Sequence, residues 1–235
     1  MFGKKKVDPP VVPVRWDTAG GFVVGEVVRP SAFRKKGLVG RRAVRMPVTL
    51  DGERYFAAAA FVEQRDLEVR SYELHDATEA GKSLLCTVEP ASGGRGGEHY
   101  QVRDQAGREL GLVFRTPAAK RAVQHGWWLR QPGHPDVVAR YHWAKGSTKE
   151  IAARGADATV RGAGSLVGSV VDSVLYGDAA SDNHSPARPT KPVTWRADDE
   201  VALTAGHTQG IKLYVPQASW LDRRLAFALA VLRQD

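Results

Sequence analysis

The side chains that could do chemistry are one cysteine, Cys86, and seven histidines: His75, His99, His125, His134, His142, His184 and His207. A metal centre or an acid/base pair written into local sequence needs histidines at helical i, i+4 spacing or a carboxylate at motif distance, and neither pattern occurs. No metal and no cofactor are expected. Cys86 alternates with Leu84 and Val88, so it packs as a small apolar residue; a nucleophilic thiolate needs an electropositive, accessible setting. The segment Asp76-Ala-Thr-Glu-Ala-Gly81-Lys82-Ser83 ends like a phosphate-binding loop. Its leading Gly is replaced by Asp, however, and it lies between two strands with no helix N-terminus to receive phosphate, so a hairpin turn is expected. Gly93-Gly-Arg-Gly-Gly97 reads as a hairpin loop, and His134 and Asp136 as turn formers. Asp198-Asp199-Glu200 lacks the alternating oxygens and the Gly of a calcium loop, and no Gly-x-Ser-x-Gly elbow is present. The chain is therefore expected not to be an enzyme.

Charge is the other chemical signal. The 235 residues carry a formal net charge of +8. Met1 to Arg45 holds 11 basic and 3 acidic residues, which accounts for the whole excess. The candidate anion- or lipid-binding residues are Lys4, Lys5, Lys6, Arg34, Lys35, Lys36, Arg41, Arg42 and Arg45. Such clusters gain on the order of 1 kcal/mol per charge at an anionic membrane surface, and they release counterions equally well on nucleic acid. A solvated tail and a protein partner are the other readings. Phe33 beside Arg34-Lys35-Lys36, with Leu38 and Val39 following, tilts the balance toward anionic phospholipid. One cysteine, with no signal-peptide core in MFGKKKVDPPVVPV, predicts a cytoplasmic protein, peripheral at the inner membrane surface if the arm binds lipid.

These residues need elements to hold them. Pro9, Pro10, Pro13, Gly20, Gly21, Pro30 and Gly37 forbid a long helix, so residues 1–47 read as a basic arm with one strand near 21–28. From Tyr55 to about Trp143 the period is that of half-buried strands. Tyr72-Glu-Leu74-His-Asp76 followed by Gly81-Lys82-Ser-Leu84 is matched by Tyr100-Gln-Val102-Arg-Asp104 followed by Gly107-Arg108-Glu-Leu110. Each is a strand, an Asp/Gly turn and a returning strand. Trp127–Arg130 and Val137–Trp143 form a third hairpin, with one of Trp127 and Trp128 facing outward. Within 146–192, Leu166 to Leu175 has the spacing of a helix face, and the polar run after Tyr176 reads as a flexible loop. Strands resume at 193–196, 201–204 and 211–215. Ser219-Trp-Leu-Asp222 has capping-box spacing before Leu225-Ala-Phe-Ala-Leu-Ala-Val-Leu232, a helix apolar on every face and too short to span a bilayer. Such a helix belongs inside a barrel.

The tandem hairpins Tyr72-x-Leu-x-Asp76…Gly81-Lys-x-Leu84 and Tyr100-x-Val-x-Asp104…Gly107-Arg-x-Leu110-Gly111, with the terminal helix Asp222–Leu232, resemble the tubby C-terminal-like superfamily. That superfamily includes the LURP-one-related proteins and the phospholipid scramblases. The resemblance covers about residues 55–235 and implies a closed antiparallel barrel of about twelve strands wrapped around the C-terminal helix. It departs from the scramblases in lacking their clustered cysteines, membrane anchor and calcium stretch. The expected organisation is thus an arm at 1–47 and a mainly β, barrel domain at 48–235 that binds lipid or a partner.

Overall fold

The computed structural model describes residues 9–31, 37–66, 68–91, 98–117, 119, 121, 125–140, 192–208 and 211–234. Twelve antiparallel strands follow one another in a single sheet, each paired with its neighbour in sequence. They are β1 (Val23–Arg29), β2 (Leu38–Leu50), β3 (Glu53–Asp66), β4 (Ser71–Asp76), β5 (Leu84–Pro90), β6 (His99–Asp104), β7 (Glu109–Arg115), β8 (Trp127–Arg130), β9 (Val137–Val138), β10 (Val193–Ala197), β11 (Glu200–Thr208) and β12 (Ile211–Pro216). The helix α1 (Arg223–Leu232) follows.

The sheet curls until its ends meet. Phe22 and Tyr214 exchange both N–H···O bonds, each 2.8 Å, and bridge β1 to β12. Their rings stack at 5.5 Å, and Phe227 of α1 meets the Phe22 ring edge-on at 4.7 Å. Next to this bridge the Gln234 side-chain amide donates to the Val24 carbonyl at 2.8 Å, supplying a bond that no strand provides there. Every residue of α1 from Leu225 to Leu232 is buried. The inward residues of β4 to β8 (Tyr72, Leu74, Cys86, Val88, Tyr100, Val102, Val113 and Leu129) share one core with it. The mainly β, closed antiparallel barrel around a buried hydrophobic C-terminal helix is therefore the architecture of this chain.

The paired hairpins are β4–β5 and β6–β7. Asp76 Oδ1 accepts the Thr78 N–H at 2.8 Å, and Asp104 Oδ1 accepts those of Ala106 and Arg108 at 2.9 and 3.0 Å. Gly81 and Gly107 sit at φ 78° and 76°, the left-handed conformation that each turn requires. The phosphate-loop look-alike is thus a turn. Gly111 serves close packing instead, because a Cβ there would lie 2.3 Å from the Arg130 carbonyl oxygen and 2.9 Å from Leu225 Cδ2. Its bare backbone lets β8 and α1 close on β7.

Three expectations change. The boundary of an arm at residue 47 does not hold, because β1 and most of β2 lie before it and pair with one another in the sheet. Strand β3 begins at Glu53, directly after β2 and an Asp51-Gly52 turn. The N-cap of α1 is Asp222, whose carboxylate accepts the Arg224 N–H at 2.9 Å, so the helix begins at Arg223 and the Ser219 spacing does not set its start. Strand β9 ends at Val138, short of the expected Trp143, and residues 141–143 of that expected strand lie outside the described residues, as do the expected helix over Leu166–Leu175, the loop after Tyr176 and the Gly93–Gly97 loop.

Candidate functional site

With α1 filling the axis, the chemistry of the barrel lies on its outside and at its ends. Of the nine basic candidates, Lys4, Lys5, Lys6, Arg34, Lys35 and Lys36 lie outside the described residues, while Arg41, Arg42 and Arg45 are in β2. Ala43, Val44 and Arg45 are buried in succession because β2 is covered on both faces there: Val44 belongs to the main core, whereas Ala43 packs in a second small cluster with Ala58 and Ala77. Arg45 is consequently removed from the candidate surface. Its guanidinium donates to the carbonyls of Gly25 (3.1 Å), Phe56 (3.2 Å) and Arg41 (2.5 Å). Burial lowers its pKa, with Glu26 pulling the other way. It is a structural cation that satisfies backbone acceptors.

Arg41 and Arg42 remain closer to solvent. Arg41 pairs with Glu63 and lies 4.5 Å over the Phe61 ring, and Arg42 lies 5.6 Å over the Tyr72 ring. At the start of the same strand Val39 is 68% exposed, the most open apolar side chain among the described residues of the β1–β2 hairpin. The connection between these two strands, residues 30–37, carries Arg34, Lys35 and Lys36 in its sequence.

Beside Arg41 the outer face of β3 and β4 gathers a second set of groups. Glu63 pairs across the sheet with Glu73, and Phe61 with His75. His75 Nε2 lies 3.2 Å from Glu73 Oε2 and 3.7 Å from Glu63 Oε2. Among the described residues these three are the group of His, Cys, Asp and Glu side chains whose geometry could hold a metal ion. Reading the histidines by sequence spacing missed this group. Glu73 and His75 stand two apart on one strand, a visible signal, whereas Glu63 joins them only through the β3–β4 register.

The remaining candidates have structural roles. Burial pushes the Cys86 thiol up to about 12, with Arg224 and Asp222 making smaller opposing contributions, so the thiol stays protonated and inert at neutral pH. Trp127 is buried, and Trp128 faces outward as the alternation requires, stacked 4.0 Å from Phe114. His99 continues that stack on the other side of Phe114 at 5.8 Å. The ring faces are spent on one another, so this row braces β6, β7 and β8 and offers no open platform. Asp136 holds Arg130 through two bonds of 2.7 and 2.9 Å, and His134 stacks on Trp220 at 4.2 Å. Asp198, Asp199 and Glu200 line an open cleft of about 440 Å³ with His134 and Trp220, where Glu200 accepts the indole N–H at 2.9 Å. Among the described residues, no helix is long and apolar enough to cross a membrane. No family model, no curated protein and no solved structure matches this chain.

Proposed function

We propose that this protein is a non-enzymatic, cytoplasmic barrel that docks peripherally on anionic phospholipid surfaces through its basic N-terminal residues. The β1–β2 hairpin leads, with Lys4, Lys5 and Lys6 adding to its charge. The single observation that carries this reading is the pairing of chemistries at that hairpin: Val39, 68% exposed, stands at the head of β2 next to the connection bearing Arg34, Lys35 and Lys36. An apolar side chain that enters the interface beside cations that meet headgroups is what peripheral attachment uses. The buried helix α1 on the axis supports the same reading, since it places the accessible chemistry of the barrel on its outside. Arg41 contributes through its exposed position, and Arg45 does not contribute.

Co-sedimentation of the full chain with vesicles of neutral lipid, and of neutral lipid mixed with ~30% anionic lipid, tests the proposal. Binding is expected only to the charged vesicles, and it should weaken ~100-fold when Arg34, Lys35 and Lys36 are replaced by Ser, as three lost contacts of ~1 kcal/mol each require. Val39→Asp should weaken it further, and Arg45→Met should leave the affinity of folded protein unchanged. Binding indifferent to lipid charge, or to the triple substitution, would remove the lipid reading. A salt-dependent gel shift with the same variants would then favour nucleic acid, and neither result a protein partner.

A further inference from the structure

We propose that Glu63, Glu73 and His75 form a binding site for a divalent transition-metal ion of the zinc type on the outer face of β3 and β4. This goes beyond the lipid reading and does not depend on it. Side chains two apart on a strand share a face, which aligns Glu73 with His75. The register places Glu63 directly opposite Glu73 and diagonal to His75. One ligand atom from each residue falls within 4.8 Å of the others. The distances from His75 Nε2 to the two Oε2 atoms, 3.2 and 3.7 Å, bracket the ~3.4 Å edge of a tetrahedron built on metal bonds of ~2.0–2.2 Å.

The oxygens are turned toward that point by their neighbours. Arg41 takes Oε1 of Glu63, and Arg65 Nε takes Oε1 of Glu73 at 3.2 Å, itself tethered by Glu89 at 3.6 Å. Each carboxylate is held from outside by a guanidinium, and its other oxygen, Oε2, faces His75 Nε2. Two carboxylates directly opposite across a ladder repel one another, and the inner pair of oxygens is the place where a further cation lowers that repulsion. Imidazole nitrogen with two carboxylates suits Zn²⁺, Co²⁺ or Ni²⁺, whereas Mg²⁺ and Ca²⁺ select all-oxygen sets. A water completes the shell from the solvent side. His75 Nδ1 is buried without a hydrogen-bond partner among the described residues, so the ring lacks the acceptor that usually strengthens a metal-bound histidine. The affinity is correspondingly modest.

Calorimetric titration of the full chain with Zn²⁺, repeated in excess Mg²⁺, tests the site. One equivalent of Zn²⁺ should bind and Mg²⁺ should not compete. His75→Gln and Glu73→Gln should each weaken binding at least ~10-fold. Arg65→Gln separates two accounts of the arginines: loss of carboxylate positioning weakens binding ~10-fold, whereas relief of simple charge repulsion tightens it. In the unsubstituted chain, Co²⁺ should broaden the ring signals of His75 before those of the other histidines. No Zn²⁺ binding, binding unchanged by His75→Gln, or first broadening at another histidine would each overturn the proposal, and tighter binding by Arg65→Gln would overturn the positioning role given to the arginines.

Discussion

The inner and outer faces of β3 and β4 are built from the same strands and do opposite work. Facing the axis, Tyr72 and Leu74 are sealed beneath α1 with Phe227 and Leu225, and each adds stability in proportion to the apolar area it hides. Facing out, Glu63, Glu73 and His75 are joined by Arg41 and Arg65 into a polar chain in which Glu63 and the arginines are exposed and Glu73 and His75 half-buried. Exposed ion pairs of this kind contribute only ~0–1 kcal/mol each. The inner face is where the fold is decided, and the outer face is free to be specified by what it binds.

That contrast can be broken from the inside first. Phe227→Ala leaves a cavity against Phe22 and should cost about 3–5 kcal/mol of unfolding free energy, read from a denaturant midpoint. A loss below about 1 kcal/mol would mean that α1 is not the core the barrel closes on. Arg45→Met is next. Deleting a buried guanidinium strands the carbonyls of Gly25, Phe56 and Arg41, and about 2–4 kcal/mol should be lost although a charge has left the interior. A neutral or stabilising result would place Arg45 with the outer-face charges.

The smallest effect is a pH dependence. Burial alone would raise the Asp104 carboxyl, but bonds from the Arg108 backbone and side chain and from the Ala106 N–H outweigh it and hold the group below its ordinary 3.8. A carboxyl depressed in the folded state contributes stability above its unfolded pKa and loses it as the pH falls through the folded value. Asp104→Asn should therefore lower stability at pH 7 and flatten its dependence on pH below about 4. An unchanged acid limb would show that the β6–β7 turn is not held by this carboxylate.

The hairpins and α1 were legible because their signals are local: an Asp and a Gly at fixed offsets, and the eight residues Leu225–Leu232 with no polar face. Strand β2 was not. Its basic residues suggested an anion-binding arm, since nothing in sequence marks that both faces of the strand are covered around Arg45. The run Ala57-Ala58-Ala59-Ala60 carries no in–out alternation because it is buried on both sides, partly by a second small cluster of Ala43, Ala58 and Ala77. The outer-face triad was half legible. Glu73 and His75 share a strand, but Glu63 is ten residues earlier and reaches them only by cross-strand pairing. Register is a tertiary fact, and the site inherits it.

The bond between Gln234 and Val24 spans 210 positions of the chain. A ribosome delivers Val24 early and Gln234 late, and the eleven strand pairings between them all join neighbours in sequence. The ladder can thus zip up progressively during synthesis, yet its apolar lining has no filling until α1 emerges. For most of its translation this chain is an open, greasy trough, and its demand on chaperones should be set by how long α1 takes to arrive.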